Sequence, residues 1–302
     1  MKAALPERAR LLIRVPSWLG DLVMAEPVLR AADRRGDTTI VGPARLLALF
    51  EGRFERCDRL NADAASAWRG HDAALLLTGS FRSAWIAAQA GIPVRAGLLR
   101  DARGLLLTHA MRPSAERGSV PLGLGVAGRG RRWLPRPFGG VCAELAALVG
   151  LEVEDRRPRI RPDASARDSI RARLEAQGVA RGAPFVVANV GSRPGSAKGA
   201  PFALWSAVLA AFAQRSKLRV VLVAGPGEEH ALAGVVAAGI PASTLALAGP
   251  APDLRELPAL LAESALVITA DNGPRHLATA VGAPVVVLCG PTDPRHTADH
   301  LE

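Results

Sequence analysis

Short apolar runs alternate along the chain with stretches whose hydrophobic residues recur at helical spacing. The runs predict buried strands, because a strand of a parallel sheet is covered on both faces. They lie at residues 10–15, 38–41, 72–77 and 94–98, and again at 185–190, 220–224, 244–248, 265–269 and 285–289. Helices are predicted between them at residues 21–35, 81–90, 141–149, 164–177, 202–214, 228–237, 254–262 and 276–281. This alternation predicts an α/β fold with parallel sheets and crossover helices.

Two segments interrupt the alternation. Residues 112–139 are rich in Gly, Pro and Arg without periodicity, which predicts a surface loop. Residues 123–128 within it match GxGxxG, but they follow no predicted strand and precede no predicted helix, so we reject a dinucleotide site there. The charged residues 152–163 predict a linker. We therefore expect two domains, residues 1–160 and 161–302.

Composition bounds the class of protein. The chain has 302 residues, 49% hydrophobic and 22% charged, which is enough to bury two cores. No apolar run reaches the roughly 18 residues of a membrane span, and the amino terminus shows no signal-peptide core, so a cytoplasmic location is expected. Cys57, Cys142 and Cys289 are isolated and are expected to be packing residues. The sequence has no DxD and no metal-ligand spacing, so neither a metal nor a cofactor is expected.

Positive charge is concentrated in one stretch. The net charge is +10, and residues 95–136 hold nine Arg against two acids. This indicates an anionic partner, which could be a phosphorylated lipid, a membrane surface or a nucleic acid. The alternative is composition alone, since the chain uses Arg almost everywhere in place of Lys. An aromatic content of 4% leaves few side chains for base stacking, so no nucleic-acid partner is expected.

One candidate catalytic group lies near the amino terminus. Asp21 follows Gly20 where the first predicted strand turns into a helix. Asp is favoured as a helix N-cap, and a carboxylate at this edge could equally act as a general base. The sequence leaves both interpretations open.

Candidate ligand groups of the second half lie at three strand ends. Lys198 lies in VGSRPGSAKGAP, whose small residues let backbone N–H groups approach a phosphate, although a solvated loop lysine is the alternative. Glu228 or Glu229 could hold a ribose diol or simply complement the start of a helix. Asp271 begins a Asp-Asn-Gly-Pro turn as an N-cap candidate, and His276 could bond a phosphate or pack on the sheet.

Four blocks taken together resemble a known family. They are PSWLGDLVMAEPVLRA, LTGSFRSAWIAAQAGIPVRAGLLRDARGLLLT, VGSRPGSAKGAP, and the stretch 265–297. In this order they resemble the bacterial ADP-heptose:lipopolysaccharide heptosyltransferases of glycosyltransferase family 9, the heptosyltransferase II branch in particular. The resemblance implies a GT-B fold, in which two Rossmann-like domains face each other across a cleft. The amino-terminal domain would take the acceptor and the carboxy-terminal domain the ADP-heptose donor.

The resemblance also implies site residues and partners. It implies an inverting, metal-independent transfer with Asp21 as the base and Lys198 stabilising the leaving diphosphate. The implied donor-binding set is Ser192, Lys198, Glu228 (or Glu229), Asp271, Asn272, Gly273 and His276. The implied acceptor-phosphate set is Arg82, Arg100 and Arg103. The acceptor would be a phosphorylated, lipid-linked lipopolysaccharide inner core, with peripheral contact to the anionic cytoplasmic face of the inner membrane.

Other functions stay open at this point. A family 9 enzyme with a different sugar or acceptor would share these residues. A non-catalytic binder of a nucleotide or phosphorylated glycan is the alternative outside enzymes. GT-B chains usually continue with a helix that returns to the first domain, so the carboxy-terminal domain is expected to be truncated at its end.

Overall fold

The chain forms two compact units. The structure, a computed structural model, describes residues 9–54, 57–60, 63–117, 131–191, 199–290 and 293–298. One unit comprises Met1–Arg157 with Arg295–Glu302, and the other comprises Pro158–Pro294. The chain passes from the first to the second within the segment where the sequence predicts a linker.

The first unit is built on a six-stranded parallel sheet. Its strands are β1 (Leu11–Arg14), β2 (Thr38–Val41), β3 (Cys57–Leu60), β4 (Ala73–Leu76), β5 (Val94–Leu98) and β6 (His109–Met111). They are arranged in the order β3-β2-β1-β4-β5-β6. All four residues of β1 and of β4 are buried, which explains why they are apolar except for Arg14 at the end of β1.

The helices of this unit cover the sheet. They are α1 (Leu19–Met24), α2 (Glu26–Arg35), α3 (Ala44–Leu47), α4 (Ala65–Trp68), α5 (Phe81–Gln89) and α6 (Phe138–Ala147), with 3-10 turns at Ala48–Phe50 and Arg103–Leu106. The single helix expected from Asp21 onward is two helices. Pro27 lies in the first turn of α2, where its missing N–H has no intrahelical partner to lose.

The predicted surface loop at 112–139 contains regular structure. Two short strands, β7 (Ala115–Arg117) and β8 (Arg131–Trp133), pair antiparallel, and α6 begins at Phe138. The expectation of a plain loop is therefore wrong at both ends of the segment. Residues 118–130, which include the rejected GxGxxG match, lie outside the described residues.

The second unit repeats the plan with five parallel strands. They are β9 (Phe185–Asn189), β10 (Arg219–Val223), β11 (Thr244–Ala246), β12 (Leu266–Ala270) and β13 (Val285–Leu288), in the order β11-β10-β9-β12-β13. The helices are α7 (Ala164–Ala176), α8 (Phe202–Arg215), α9 (Glu229–Ala237), α10 (Glu256–Glu263) and α11 (Gly273–Val281), and a 3-10 turn follows at Pro294–His296.

Alternate residues of the strands build the core of the second unit. Val186, Ala188 and Val190 face one side, where Trp205 and Leu209 of α8 pack against them. Because successive side chains of a strand point to opposite faces, the side chains of the intervening residues lie on the other face of the sheet. The parallel α/β class predicted from the sequence is confirmed in both units.

Candidate active site

Each sheet has a place where its strand order reverses. In the first unit β2 and β3 lie on one side of β1 while β4 lies on the other, and in the second β10 and β12 flank β9 in the same way. In α/β proteins the loops diverge at such a point, and ligands bind there at the carboxyl edge of the sheet. Those predicted site residues that the structure describes lie on the loops and first helical turns that follow the strands at these two edges.

Asp21 lies at the reversal point of the first sheet, after β1. It is the third residue of α1, and the N-cap position is occupied by Trp18, whose backbone is extended. The interpretation of Asp21 as the helix N-cap is therefore wrong. Its carboxylate is half-buried in the first turn, where the positive end of the helix dipole favours negative charge. A general base is compatible with this position.

The three arginines of the predicted acceptor set differ in exposure. Arg82 and Arg100 are exposed after β4 and β5, where an anionic ligand could reach them. Arg103 is fully buried, so the expectation that it contacts an acceptor phosphate does not fit the structure.

Arg103 instead forms hydrogen bonds to the main chain of two neighbouring loops, the one after β4 and the one after β5. Its Nε donates to the Leu98 carbonyl at 2.8 Å, and its Nη1 donates to the Thr78 carbonyl at 2.6 Å and the Ser80 carbonyl at 3.3 Å. Burial lowers the pKa of the guanidinium to about 10, so it remains charged at neutral pH. These contacts fix the loop after β5 against the loop after β4, which precedes α5. Arg103 is therefore a positioning residue for this edge.

The turn after β12 contains a buried ion pair. Arg275 Nη1 donates to Asp271 Oδ1 at 2.6 Å, and both side chains are almost completely buried. Asn272 occupies the N-cap position of α11, so the expectation that Asp271 caps the helix is wrong. His276 is also buried, in the first turn of α11. Sequence reasoning missed Arg275, although its place one helical turn after Asp271 is a readable signal for an ion pair.

A chain of hydrogen bonds crosses the reversal point of the second sheet. Asn189 Nδ2 donates to Thr269 Oγ1 at 3.2 Å, and Thr269 Oγ1 donates to Asn272 Oδ1 at 3.0 Å. Asn272 Nδ2 then donates to the Gly191 carbonyl at 3.1 Å. We call Asn189, Thr269 and Asn272 the amide relay. It couples the ends of β9 and β12 to the start of α11 and to the chain that leads into the predicted phosphate loop.

Glu228 packs against the same glycine from another direction. Its Oε2 accepts from the Gly225 N–H at 3.0 Å, and a Cβ placed on Gly191 would collide with that oxygen. A side chain at position 191 would therefore displace the Glu228 carboxylate and press on the backbone at Ala224 and Gly225. The neighbouring Glu229 is exposed and accepts from the Gly227 N–H at 3.0 Å. Hydrogen bonds from its own N–H and that of Gly227 lower the pKa of its carboxyl, so it is ionised at neutral pH.

The second edge thus gathers four predicted donor residues from two loops and one helix start: Glu228, Asp271, Asn272 and Gly273. Ser192 and Lys198 lie outside the described residues, but the described chain ends at Gly191 on this edge and resumes at Gly199 before α8. The amide of Asn272 is engaged by the protein on both its oxygen and its nitrogen, which favours a positioning role. Sequence reasoning missed Asn189 and Thr269. A polar residue ending an apolar strand was the available signal.

The family assignment follows from the sequence of the second half. Residues 140–300, more than half of the chain, match the model of glycosyltransferase family 9 (heptosyltransferase). The chain belongs to glycosyltransferase family 9. The resemblance in the sequence is confirmed, and so is the assignment as an enzyme of the glycosyltransferase class. No curated protein matches the chain.

Solved structures give the same fold over nearly the whole length of this family 9 glycosyltransferase. E. coli ADP-heptose lipopolysaccharide heptosyltransferase II aligns with a TM-score of 0.68 at 20% identity, covering 95% of this chain and 87% of that one. E. coli heptosyltransferase WaaC with ADP aligns with a TM-score of 0.62 at 20% identity, covering 94% and 88%. The iron-containing dodecameric glycosyltransferase TibC of enterotoxigenic E. coli aligns with a TM-score of 0.52 at 16% identity, covering 95% and 62%. The predicted GT-B fold class is confirmed.

Other features of the family 9 chain complete the description of the site. Among the described residues, no three His, Cys, Asp or Glu side chains cluster as metal ligands would. Within the same residues, no helix has both the length and the apolar character needed to cross a membrane. Cys57 and Cys142 are buried as predicted, whereas Cys289 is exposed, so its assignment as a packing residue is wrong.

Proposed function

We propose that this family 9 glycosyltransferase transfers a heptose from ADP-heptose to a lipopolysaccharide inner-core acceptor. The observation that carries the proposal is that each unit, taken by itself, presents candidate ligand groups at the strand-order reversal of its own sheet. The first sheet presents the carboxylate of Asp21 with exposed arginines, and the second presents the start of α11, where Asn272 donates to the Gly191 carbonyl. Family membership and the ADP-heptose enzymes among the solved relatives support the same donor.

The proposed reaction is a single displacement that inverts the anomeric carbon. Asp21 takes the proton of the acceptor hydroxyl, and that oxygen forms a bond to the anomeric carbon of the heptose. The bond between this carbon and the β-phosphate oxygen breaks at the same time, and ADP leaves with the electron pair. Lys198 and the N-terminal N–H groups of α11 stabilise the negative charge that develops on the leaving diphosphate. In metal-dependent transferases, a bound metal ion has this role.

The donor and acceptor contacts follow from the same assignment. Glu228 or Glu229 holds the ribose hydroxyls, and Ser192, Gly273 and His276 complete the diphosphate site with Asp271 and Asn272 behind them. Arg82 and Arg100 bind phosphates of the acceptor. The lipid carrier places the reaction at the cytoplasmic face of the inner membrane, where the basic protein makes peripheral contact with anionic lipid.

Two substitutions test the mechanism. Asp21→Asn keeps the size of the side chain but removes the base, so transfer should fall by about a hundredfold or more while ADP binding stays unchanged. Lys198→Ala should weaken ADP binding and transfer together. Transfer is measured with ADP-heptose and a purified inner-core acceptor. Full activity in both variants would refute the mechanism.

The substrate and the need for a metal are tested separately. A panel of ADP- and UDP-sugars identifies the donor, and turnover with another sugar would replace heptose in the proposal. Transfer should persist in EDTA and should not increase with added Mg²⁺ or, in view of the iron-containing relative, Fe²⁺. Saturable ADP binding without turnover of any donor would favour a non-catalytic binder.

A further inference from the structure

Two large aromatic side chains are exposed side by side on α5. Phe81 and Trp85 each keep 47% of their surface exposed, and their rings stack with centroids 6.3 Å apart. They lie one helical turn apart, and Phe81 is the first residue of the helix at the carboxyl edge of the sheet. Single exposed apolar residues are ordinary, but an adjacent pair forms a patch that indicates an interaction surface.

A third apolar side chain is presented beside this helix. Leu105 is 98% exposed and lies on the 3-10 turn Arg103–Leu106, which packs against α5. The turn is anchored, because the buried Arg103 donates to the carbonyls of Thr78 and Ser80 immediately before α5. The backbone that holds Leu105 at the surface is therefore fixed. Burying this side chain in a partner costs little additional ordering entropy.

The loops of this edge also carry positive charge. Arg82, Arg100 and Arg112 are exposed after β4, β5 and β6, while the described parts of these three loops contain one carboxylate, Asp101. A Cβ placed on Gly79 would touch the stem of Arg100, so this guanidinium starts close to the beginning of α5. Aromatic and aliphatic groups bordered by arginine are typical of proteins that lie on anionic membranes.

We propose that Phe81, Arg82, Trp85, Arg100 and Leu105, here called the α5 patch, dock this glycosyltransferase on an anionic lipid bilayer. The two rings and Leu105 enter the interfacial region, and Arg82 and Arg100 lie at the level of the phosphates, where they meet the phosphates of the membrane-borne acceptor. This deepens the proposed function, on which it rests for the membrane-borne acceptor. The excess of exposed arginines over carboxylates in the surrounding loops complements the negative charge of lipid phosphates, which argues for an anionic bilayer as the occupant.

Vesicle binding of the full chain tests the proposal. Co-sedimentation is measured with vesicles of phosphatidylcholine alone and with about 30 mol% phosphatidylglycerol added, at low and high salt. Wild-type protein should bind the anionic vesicles more strongly, and salt should weaken that binding. The double substitution Phe81→Ser/Trp85→Ser should reduce the partition coefficient by roughly tenfold or more, because less apolar area is buried in the bilayer interface. Leu105→Ser should reduce it by a smaller factor.

A matched control and a conservative variant sharpen the readout. Val236, similarly exposed on α9 of the other unit, should be replaceable by Ser without effect on vesicle binding. Trp85→Phe should keep most of the binding, because it keeps an apolar ring. Brominated lipid should quench the tryptophan fluorescence of Trp85→Phe less than that of the wild type, because the indole ring placed in the interface is missing.

Several outcomes would overturn the proposal. Unchanged binding of the double variant would exclude the α5 patch. Loss of a concentration-dependent self-association, with vesicle binding intact, would make it a protein interface. A raised KM for a water-soluble acceptor with intact vesicle binding would make it a sugar-stacking surface. Turnover of the water-soluble acceptor without vesicles tests the proposed function separately, so failure of one is distinguishable from failure of the other.

Discussion

At the scale of single residues, the sites differ most from expectation where a charge is buried. The resemblance in the sequence implies ligand contacts for Arg103 and Asp271, and it says nothing of Arg275. The structure directs Arg103 to main-chain carbonyls and pairs Asp271 with Arg275 inside the protein. Burial depends on the packing of distant segments, so local spacing could place these residues at the edge of a sheet but could not show how deep they lie.

Removing one member of the buried ion pair should be costly. Asp271→Ala would leave the positive charge of Arg275 buried without this carboxylate, and we expect the free energy of unfolding to fall by about 3 kcal/mol or more. Urea denaturation measures the change. Asp168→Ala, which removes the same charge from an exposed site on α7, should change stability by less than about 0.5 kcal/mol. Equal effects of the two substitutions would contradict the importance of the pair.

The three cysteines should react in an order set by burial. Burial, reinforced by the nearby carboxylate of Asp33, raises the pKa of the Cys57 thiol to about 12. Little thiolate forms there at pH values near 8, so a thiol reagent should label Cys289 rapidly and leave Cys57 and Cys142 protected. Mass spectrometry of the labelled protein checks this, with labelling in denaturant as the control. Rapid labelling of Cys57 in the folded protein would contradict the burial.

At the scale of elements, apolar periodicity predicted the buried strands and most helices but missed the polar ones. Strand β3 lies at the end of its sheet and has one buried residue in four, so it carries no apolar run. Strands β7 and β8 are short and mostly charged. Helices of four residues, such as α3 and α4, are too short for a periodicity to show. These elements depend on pairing and packing rather than on their own sequence.

Helix α7 has a side-chain cap whose contribution should depend on pH. Asp163 accepts from the Ala166 N–H at 2.7 Å, and this bond together with that of Ser165 lowers the pKa of its carboxyl. Asp163→Ala should therefore reduce the free energy of unfolding by about 1 kcal/mol near neutral pH. Because the folded-state pKa is the lower one, this contribution is present above the ordinary Asp pKa and disappears as the pH falls through the folded value.

Denaturation of the wild type and variant at neutral and acidic pH measures this contribution. Asp163→Asn is the control, since Asn caps a helix well without titrating. A difference between wild type and Asp163→Ala that stays constant into acid would contradict the assignment.

The amide relay should matter for ligand binding as well as for stability. Thr269→Val keeps the shape but removes the hydroxyl that links Asn189 to Asn272. We expect ADP affinity to fall by roughly tenfold, because the loop and helix start are no longer held in register. Thr269→Ser restores the hydroxyl and should restore the affinity. Calorimetry with ADP and urea denaturation separate the effects, and reduced stability with unchanged affinity would make the relay purely structural.

At the scale of the whole molecule, two units repeat one arrangement, with the candidate residues on the loops around each central strand. The sequence predicted the parallel class and the carboxyl edges, because both follow from alternating strands and helices. It could not predict strand order, which depends on long-range pairing. The positions of Ser192 and Lys198 relative to the turn at Asp271 stay a prediction.

Hydrogen exchange should show which unit binds the nucleotide. If the second unit binds the donor, saturating ADP should slow exchange in peptides covering residues 225–229 and 270–277. Peptides covering residues 16–22 and 78–82 should change little, because they belong to the proposed acceptor edge. Mass spectrometry resolves these peptides. Protection in the first unit alone would reverse the assignment of donor and acceptor.

The division into two units bears on how enzymes of this kind could be recombined. Each unit builds its edge from its own strands, so a hybrid could join the first unit of this chain to the second unit of a family 9 relative at Arg157 and Pro158. The chain from Arg295 groups with the first unit although it follows the second in sequence. A hybrid should therefore take residues 295–298 from the parent that supplies its first unit, which adds a second junction between Pro294 and Arg295 to the one at Arg157 and Pro158.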